Sequence, residues 1–296
     1  MYIMVPDYVP GEINVTTYKQ SGFRTRTDKC FVISCQSDRS SCYLSEISIV
    51  QNPTQVIKPQ RQFYIQFWPR PGLRPRDRQR GTTIENIIYN GSSNNLDDRF
   101  KSESFRRRIE ELGLTLSLFD YKRKSGHSQY QNYNTAYESA DVVLAVRNLT
   151  YYDANAKPIS KLANAWLAEC PAILGPEPGF RAYRQTDLDY LEARSEDEVI
   201  NYRKYLLDNR DVYLAMIENA KARAREVGAE QVKQAWIDLL SGPVAEQFEH
   251  WKRHKGMFVS LWRPAQFATR LVRHKIDRKI HAYRVNHGPR ICDSSK

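Results

Sequence analysis

The pattern of apolar and polar positions is clearest between Ala140 and Leu191. Val142, Val143, Leu144, Ala145 and Val146 form an unbroken apolar run with the length of a buried strand. From Ala156 to Ala168 the period changes. Leu162, Ala165 and Trp166 fall near one helical face, and Lys157 and Lys161, four apart, fall on another. Pro171 stops this helix, 172–174 reads as the next buried strand, and Gly175-Pro176 ends it. Strand, loop, helix, strand is a βαβ unit, which predicts a parallel sheet. Ligands of open parallel sheets sit beyond the carboxyl ends of the strands. Arg147, Lys157, Lys161, Glu177 and Arg181 all fall near such ends.

Upstream, the segments 30–38, 46–50, 62–68, 82–90 and 114–119 read as strands, and 1–5 as a short one limited by Pro6. Residues 6–20 show no clear period. An amphipathic helix is predicted over 95–112, with Gly113 as its stop. Downstream, Leu191 and Ala193 suggest a last short strand, and Ser195 with Glu198 forms a capping box that opens a helix over 196–206. Further helices follow from Asn209 or Asp211 to Gly228 and over 230–240, the latter with Trp236 in the core. Between the third and fourth strands, 69–81 is a proline-rich loop carrying Arg70, Arg74, Arg76, Arg78 and Arg80. It fits a solvated face or an anion-binding loop, arginine being suited to phosphate and carboxylate by its planar fork. The domain boundary is expected between Phe119 and Asp141, giving a first domain over 1–130, a second over 131–245 and a tail over 246–296.

Composition narrows the classes. With 41% hydrophobic and 27% charged residues the chain is globular rather than disordered. Its formal net charge of +11 implies an anionic partner without saying which. No apolar stretch has the length of a membrane span, and the N-terminus does not read as a signal peptide. Cys30, Cys35, Cys42, Cys170 and Cys292 are odd in number and show no CxxC spacing, so they read as reduced cytosolic thiols. The first three lack a nearby histidine as a fourth ligand, and core thiols explain them better than zinc.

The tail concentrates the charge. From Trp251 to Lys296 there are 12 Lys or Arg and 2 Asp, a local +10. Trp251, Phe258, Trp262, Phe267, Leu271 and Ile276 interleave with these basics. The combination suits an anionic membrane surface. Stacking and phosphate contacts with RNA need the same residues, although no recognised nucleic-acid module surrounds them. A terminal helix crossing back over the first domain is the plain structural alternative. Pro264 predicts a break, with a second helix over 265–280.

The motif KPxSKLxNAWLAxxPAILGPExxxR, followed by LDYL, resembles the donor-binding half of glycosyltransferase-like proteins with the two-Rossmann-domain (GT-B-like) fold, over about 140–222. A weaker resemblance covers WPRPGLRPRDRQRGTTIENIIYNG, 68–91. The resemblance implies an α/β protein with Rossmann-like parallel sheets flanked by helices and a reduced N-terminal half. It implies transfer of a sugar from a nucleotide-sugar donor to a glycan or lipid-linked acceptor in surface-polysaccharide assembly. No cofactor or metal beyond that donor substrate is expected, and the place is the cytoplasm, peripheral on the inner face of the membrane. On this view Lys157 and Lys161 hold the diphosphate, with Arg147 at the same edge, and Glu177 accepts from sugar or ribose hydroxyls. Arg181 either joins the site or pairs with Glu177. If the lysines are merely solvated and Glu177–Arg181 is an ordinary ion pair, the site dissolves. Asn164 stands where many retaining enzymes of this fold carry a glutamate. Glu169 stands where a glycine is usual, so a left-handed backbone there would be strained. Asp38 and His127 are candidate catalytic bases because the acceptor half should supply one. The other readings are a catalytically silent nucleotide-sugar or glycan-binding protein of the same fold, and a nucleic-acid-binding protein.

Overall fold

The computed structural model describes residues 8–17, 29–39, 42–120, 135–253 and 257–293. The expected strand over 1–5 and the candidate base His127 lie outside the described residues. The chain forms two compact units, and neither is a contiguous half. One comprises 1–67, 155–158 and 232–288; the other comprises 68–154, 159–231 and 289–296. The first crossing therefore falls at Phe67–Trp68, not between Phe119 and Asp141, and the tail is divided: 246–288 belongs to the first unit and 289–296 to the second.

The first unit holds a parallel sheet of β1 (Ile13–Thr17), β2 (Phe31–Cys35), β3 (Ile47–Val50) and β4 (Gln62–Tyr64), in that spatial order. Residues 13–17, where the sequence shows no period, pair in register with 31–35. Ile13 and Val15 do alternate with polar residues there, but the run is short and Thr-rich. Phe31, Ile33, Ile47, Ile49 and Ile65 form the core, and the partner face comes from Val232, Leu239, Val244, Phe248 and Trp251. Among the described residues no α-helix lies between β2 and β4, so the C-terminal helices supply the cover that crossover helices usually give.

The second unit holds a five-stranded parallel sheet. Its strands are β5 (Asn86–Asn90), β6 (Thr115–Phe119), β7 (Val142–Ala145), β8 (Ala172–Leu174) and β9 (Leu191–Glu192), in spatial order β6-β5-β7-β8-β9. The helices of this stretch are α1 (Glu103–Glu110), α2 (Tyr151–Ala156), α3 (Ser160–Leu167), α4 (Pro178–Tyr183), α5 (Glu196–Asp208) and α6 (Arg210–Ala224). The helix expected over 95–112 begins later, because the Ser102 side chain accepts from the Phe105 amide and caps α1. The helix expected from Ala156 is likewise broken: α2 ends at Ala156, and Lys157 lies before α3. The capping box of Ser195 and Glu198 is present as the sequence predicts. The strand order reverses between β5 and β7, the switch point of a doubly wound sheet, where a crevice opens beyond the strands' carboxyl ends.

Past α7 (Ala229–Leu239), α8 (Ala245–Arg253) leads to α9 (Met257–His287). The expected break at Pro264 does not occur; α9 runs through it. Arg263 ties this part of the helix to α8. It donates to the Trp251 carbonyl at 2.8 Å, and its guanidinium lies 3.9 Å over the Trp251 ring. Phe267 and Leu271 pack on Cys42 and Leu44, so one face of the basic tail is built into the first unit.

Candidate functional site

The site grows from the second unit's switch point. β5 ends at Asn90 and Gly91, β7 leads to Arg147, and β8 leads through Gly175 and Pro176 to Glu177. Arg147 and Glu177 are 5% and 1% exposed and form a two-point ion pair, with Nε donating to Oε1 at 2.7 Å and Nη2 donating to Oε2. Burial pushes the Arg147 guanidinium down, but Glu177 more than restores it, so Arg147 stays charged. The Arg147 guanidinium also lies 5.8 Å over the Phe180 ring.

Lys161, in the first turn of α3, reaches back across the switch point. Its amine donates to the Asn90 carbonyl and lies 5.5 Å from the Tyr89 ring centroid. Gly91 makes room for it, since a Cβ there would come within 2.5 Å of the Lys161 Nζ. Burial, then Arg147 and Arg70, push the lysine down to about 7, against the opposing pull of Glu177. Arg70 leaves the proline-rich loop and donates to the Asn90 side chain at 3.5 Å. Lys161, Arg147 and Arg70 thus lie close enough to act on one another, with Glu177 bonded to Arg147 and Asp153 also acting on it. The N-cap of α3, Ile159, offers no side-chain acceptor, so its first amides add to the anion-attracting field.

Not every candidate from the sequence joins this cluster. Lys157 falls in the first unit, where its amine lies 3.3 Å from Asp38; its spacing from Lys161 reflects no shared helical face. Asp38 follows β2. Burial pushes its carboxyl up, but Lys157 and Arg39 hold it below the usual range, which keeps it ionised and weakens it as a base. Arg181 pairs with Glu192, at 2.5 and 2.7 Å, rather than with Glu177. Asn164 lies half-buried on α3 and bonds the Tyr137 hydroxyl. Glu169 has φ +53, the left-handed backbone its position suggested.

The arginine loop is in part a solvated face, with Arg74 and Arg78 exposed, while Arg76 and Arg80 bind a carboxylate of the protein itself. Asp141, just before β7, accepts from Arg76 at 3.2 Å, from Arg80 at 2.7 Å twice, and from the Glu85 and Asn86 amides at 2.9 Å. Burial pushes that carboxyl up, but these donors, led by Arg80, hold it below its ordinary value. Arg78 pairs with Glu169 and Arg74 with Glu138. The loop is a clamp at the amino ends of the strands; Arg70 alone of the five reaches the carboxyl ends.

Sequence reasoning missed Arg70 as an individual, together with Asn90 and Tyr89. The available signal was Gly91 directly after an apolar strand. Asp189, just before β9, pairs with Arg223 at 3.2 Å and accepts from the Gln185 and Thr186 amides.

Comparison with known proteins supports the same fold. Residues 101–236 match the model of a family described as glycosyl transferase-like. No curated protein sequence matches the chain. Among solved structures, the chain is similar to the Anabaena protein HepE solved with UDP and glucose, at 12% identity and TM-score 0.53 over 72% of each chain. It is also similar to sucrose-phosphate synthase from Thermosynechococcus elongatus, at 13% identity and TM-score 0.50, over 77% of this chain and 74% of that one. A third similarity is to TarM, at 11% identity and TM-score 0.51, over 77% of this chain but 54% of TarM. With the parallel sheets described above, these likenesses show an α/β fold of Rossmann-like parallel sheets. The chain thus shares the fold of these structures, and residues 101–236 resemble the glycosyl transferase-like family.

Proposed function

We propose that the protein transfers a sugar from a nucleotide-sugar donor to a glycan or lipid-linked acceptor in surface-polysaccharide assembly, working in the cytoplasm on the inner face of the membrane. One observation carries the donor half of this reading: Lys161, Arg147 and Arg70 converge at the switch point, with Glu177 bonded to Arg147. A diphosphate leaving group gathers negative charge in the transition state, and fixed cations with helix amides stabilise it there. A lysine at about 7 is charged only in part at neutral pH; an arriving diphosphate would draw a proton onto it. Arg147 occupies both Glu177 oxygens, so Glu177 acts by orienting Arg147 and accepts ribose or sugar hydroxyls through its remaining lone pairs. Asn164, uncharged, can hydrogen-bond a donor hydroxyl. On the acceptor side Asp38 is the candidate base, and His127 is the second candidate that the sequence offers. HepE was solved with UDP, which favours a uridine nucleotide as the first donor to try.

A panel of UDP-, GDP-, TDP- and CMP-sugars read by thermal shift tests this. One nucleotide class should raise the melting temperature, and the shift should vanish in Lys161→Ala. Absence of any shift removes the donor site. Binding without turnover on any acceptor leaves the silent relative of the same fold.

A further inference from the structure

Among the described residues, no core cluster includes the outer side of α9. Val272, Ile276, Ile280 and Tyr283 are 58%, 54%, 44% and 66% exposed, and Leu261 and Trp262 are 73% and 56% exposed. Their spacing places them in one stripe, opposite the face on which Phe267, Leu271 and the fully buried His274 lie. At 100° per residue Lys275 and Lys279 flank one side of the stripe, Arg273 and Arg284 the other. Across 257–287 there are seven Lys or Arg against Asp277. On the arginine flank, α9 borders a pocket of about 720 Å³ that Trp262, Arg270 and Arg273 share with Tyr43, Lys58 and Arg61. Glu46 bonds Arg61 at 3.1 Å and Arg270 at 2.7 Å, which leaves Lys58 and Arg273 in excess of the carboxylate on that wall.

We propose that this face of α9 docks on an anionic lipid bilayer, the apolar stripe entering the headgroup boundary and the two basic flanks meeting lipid phosphates. This deepens the membrane location given above and rests on it, but it is independent of the transfer chemistry, because docking needs no donor. The pattern fits a bilayer: an apolar stripe bounded on both sides by cations is the distribution an interfacial helix needs. A second copy of the chain would bring like charge against like charge. A nucleic acid would use the flanks and leave Val272, Ile276 and Ile280 in water.

Flotation of the full chain with vesicles tests it. At low salt the protein should float with phosphatidylcholine–phosphatidylglycerol vesicles and not with phosphatidylcholine alone, and 0.5 M salt, where charges are screened within about 3–10 Å, should release it. Val272→Gln with Ile276→Gln keeps the charge and alters only exposed positions, so melting should be unchanged while partitioning falls about tenfold or more. Should that pair unfold, Tyr283→Gln carries the same test. Lys275→Gln with Lys279→Gln should weaken binding to anionic vesicles. Absence of flotation, or flotation equal in the charge-neutral stripe variant, overturns the proposal. So does tight binding of a single-stranded RNA without vesicle binding.

Discussion

Replacing Glu169 by glycine should stabilise the second unit's fold relative to replacing it by alanine. α3 ends in a Schellman motif: the Cys170 amide donates to the Ala165 carbonyl at 3.0 Å, and the Glu169 amide to the Trp166 carbonyl at 2.9 Å. The motif requires a left-handed residue, and Glu169 supplies it at φ +53 with a side chain on a backbone that suits glycine. A non-glycine residue there costs about 1–2 kcal/mol. Glycine instead loses about 0.5–1 kcal/mol more chain entropy on folding. Both substitutions remove the pairs with Arg78, at 3.3 Å and largely exposed, and Lys221, at 4.0 Å, together worth about 0–1 kcal/mol. The difference between Gly and Ala therefore isolates the backbone, and should be about 0.5–1 kcal/mol, or roughly 1–4 °C in Tm. Wild type should lie near the glycine variant or slightly below it. Urea denaturation of the three proteins, with equal slopes, measures this. If the glycine variant is no more stable than the alanine variant, the strain argument is wrong.

Lys161→Ala should weaken nucleotide-sugar binding by about 1.5–3 kcal/mol by calorimetry, while Lys157→Ala, whose partner is Asp38, should change donor affinity little. Because the Lys161 amine is lowered to about 7, the unfolded chain binds more protons between there and its ordinary value. The burden of the buried charge is full below pH 7 and fades as pH rises towards 10, so the stability gain of Lys161→Met should shrink over that range in urea titrations. Asp141→Asn should destabilise the fold by about 3–5 kcal/mol, since Arg76 and Arg80 would lose their charge partner. Asp141 is lowered, so its contribution is present at neutral pH and disappears as pH falls below about 4; chemical denaturation from pH 7 to 3 should show wild type and variant converging. Truncation after Leu240 removes Val244, Phe248 and Trp251 from the first unit's core, and should leave it molten by near-ultraviolet circular dichroism.

The second unit was legible where local signals agreed. An apolar run, a helical period and Pro171 gave β7, α3 and β8, and the Ser195–Glu198 box gave the start of α5. The left-handed Glu169 could also be anticipated, from a position where glycine is usual. What stayed hidden is set by distant partners. The arginine loop takes its meaning from Asp141, more than sixty residues away, and Arg147 from Glu177, thirty away. Lys157 and Lys161 look alike in sequence, but one faces Asp38 and the other crosses to Asn90. In the tail, Pro264 argued for a break; anchorage of Arg263 on Trp251 accompanies the continuous helix instead.

The interleaving of the two units bears on how the chain is made. β1 to β4 leave the ribosome well before their cover, because the Val232, Leu239, Val244, Phe248 and Trp251 that pack on their core are encoded some 165 or more residues after Phe67. At a synthesis rate of about 5–20 residues per second, Phe31, Ile33, Ile47 and Ile49 wait roughly 10–30 s before their cover appears. Residues 68–231 can gather most of their own sheet during that interval. The protein's vulnerable species in the cell is thus a nascent chain with a nearly finished second unit and a bare four-stranded sheet, a target for chaperones and, when they are scarce, for strand-edge aggregation.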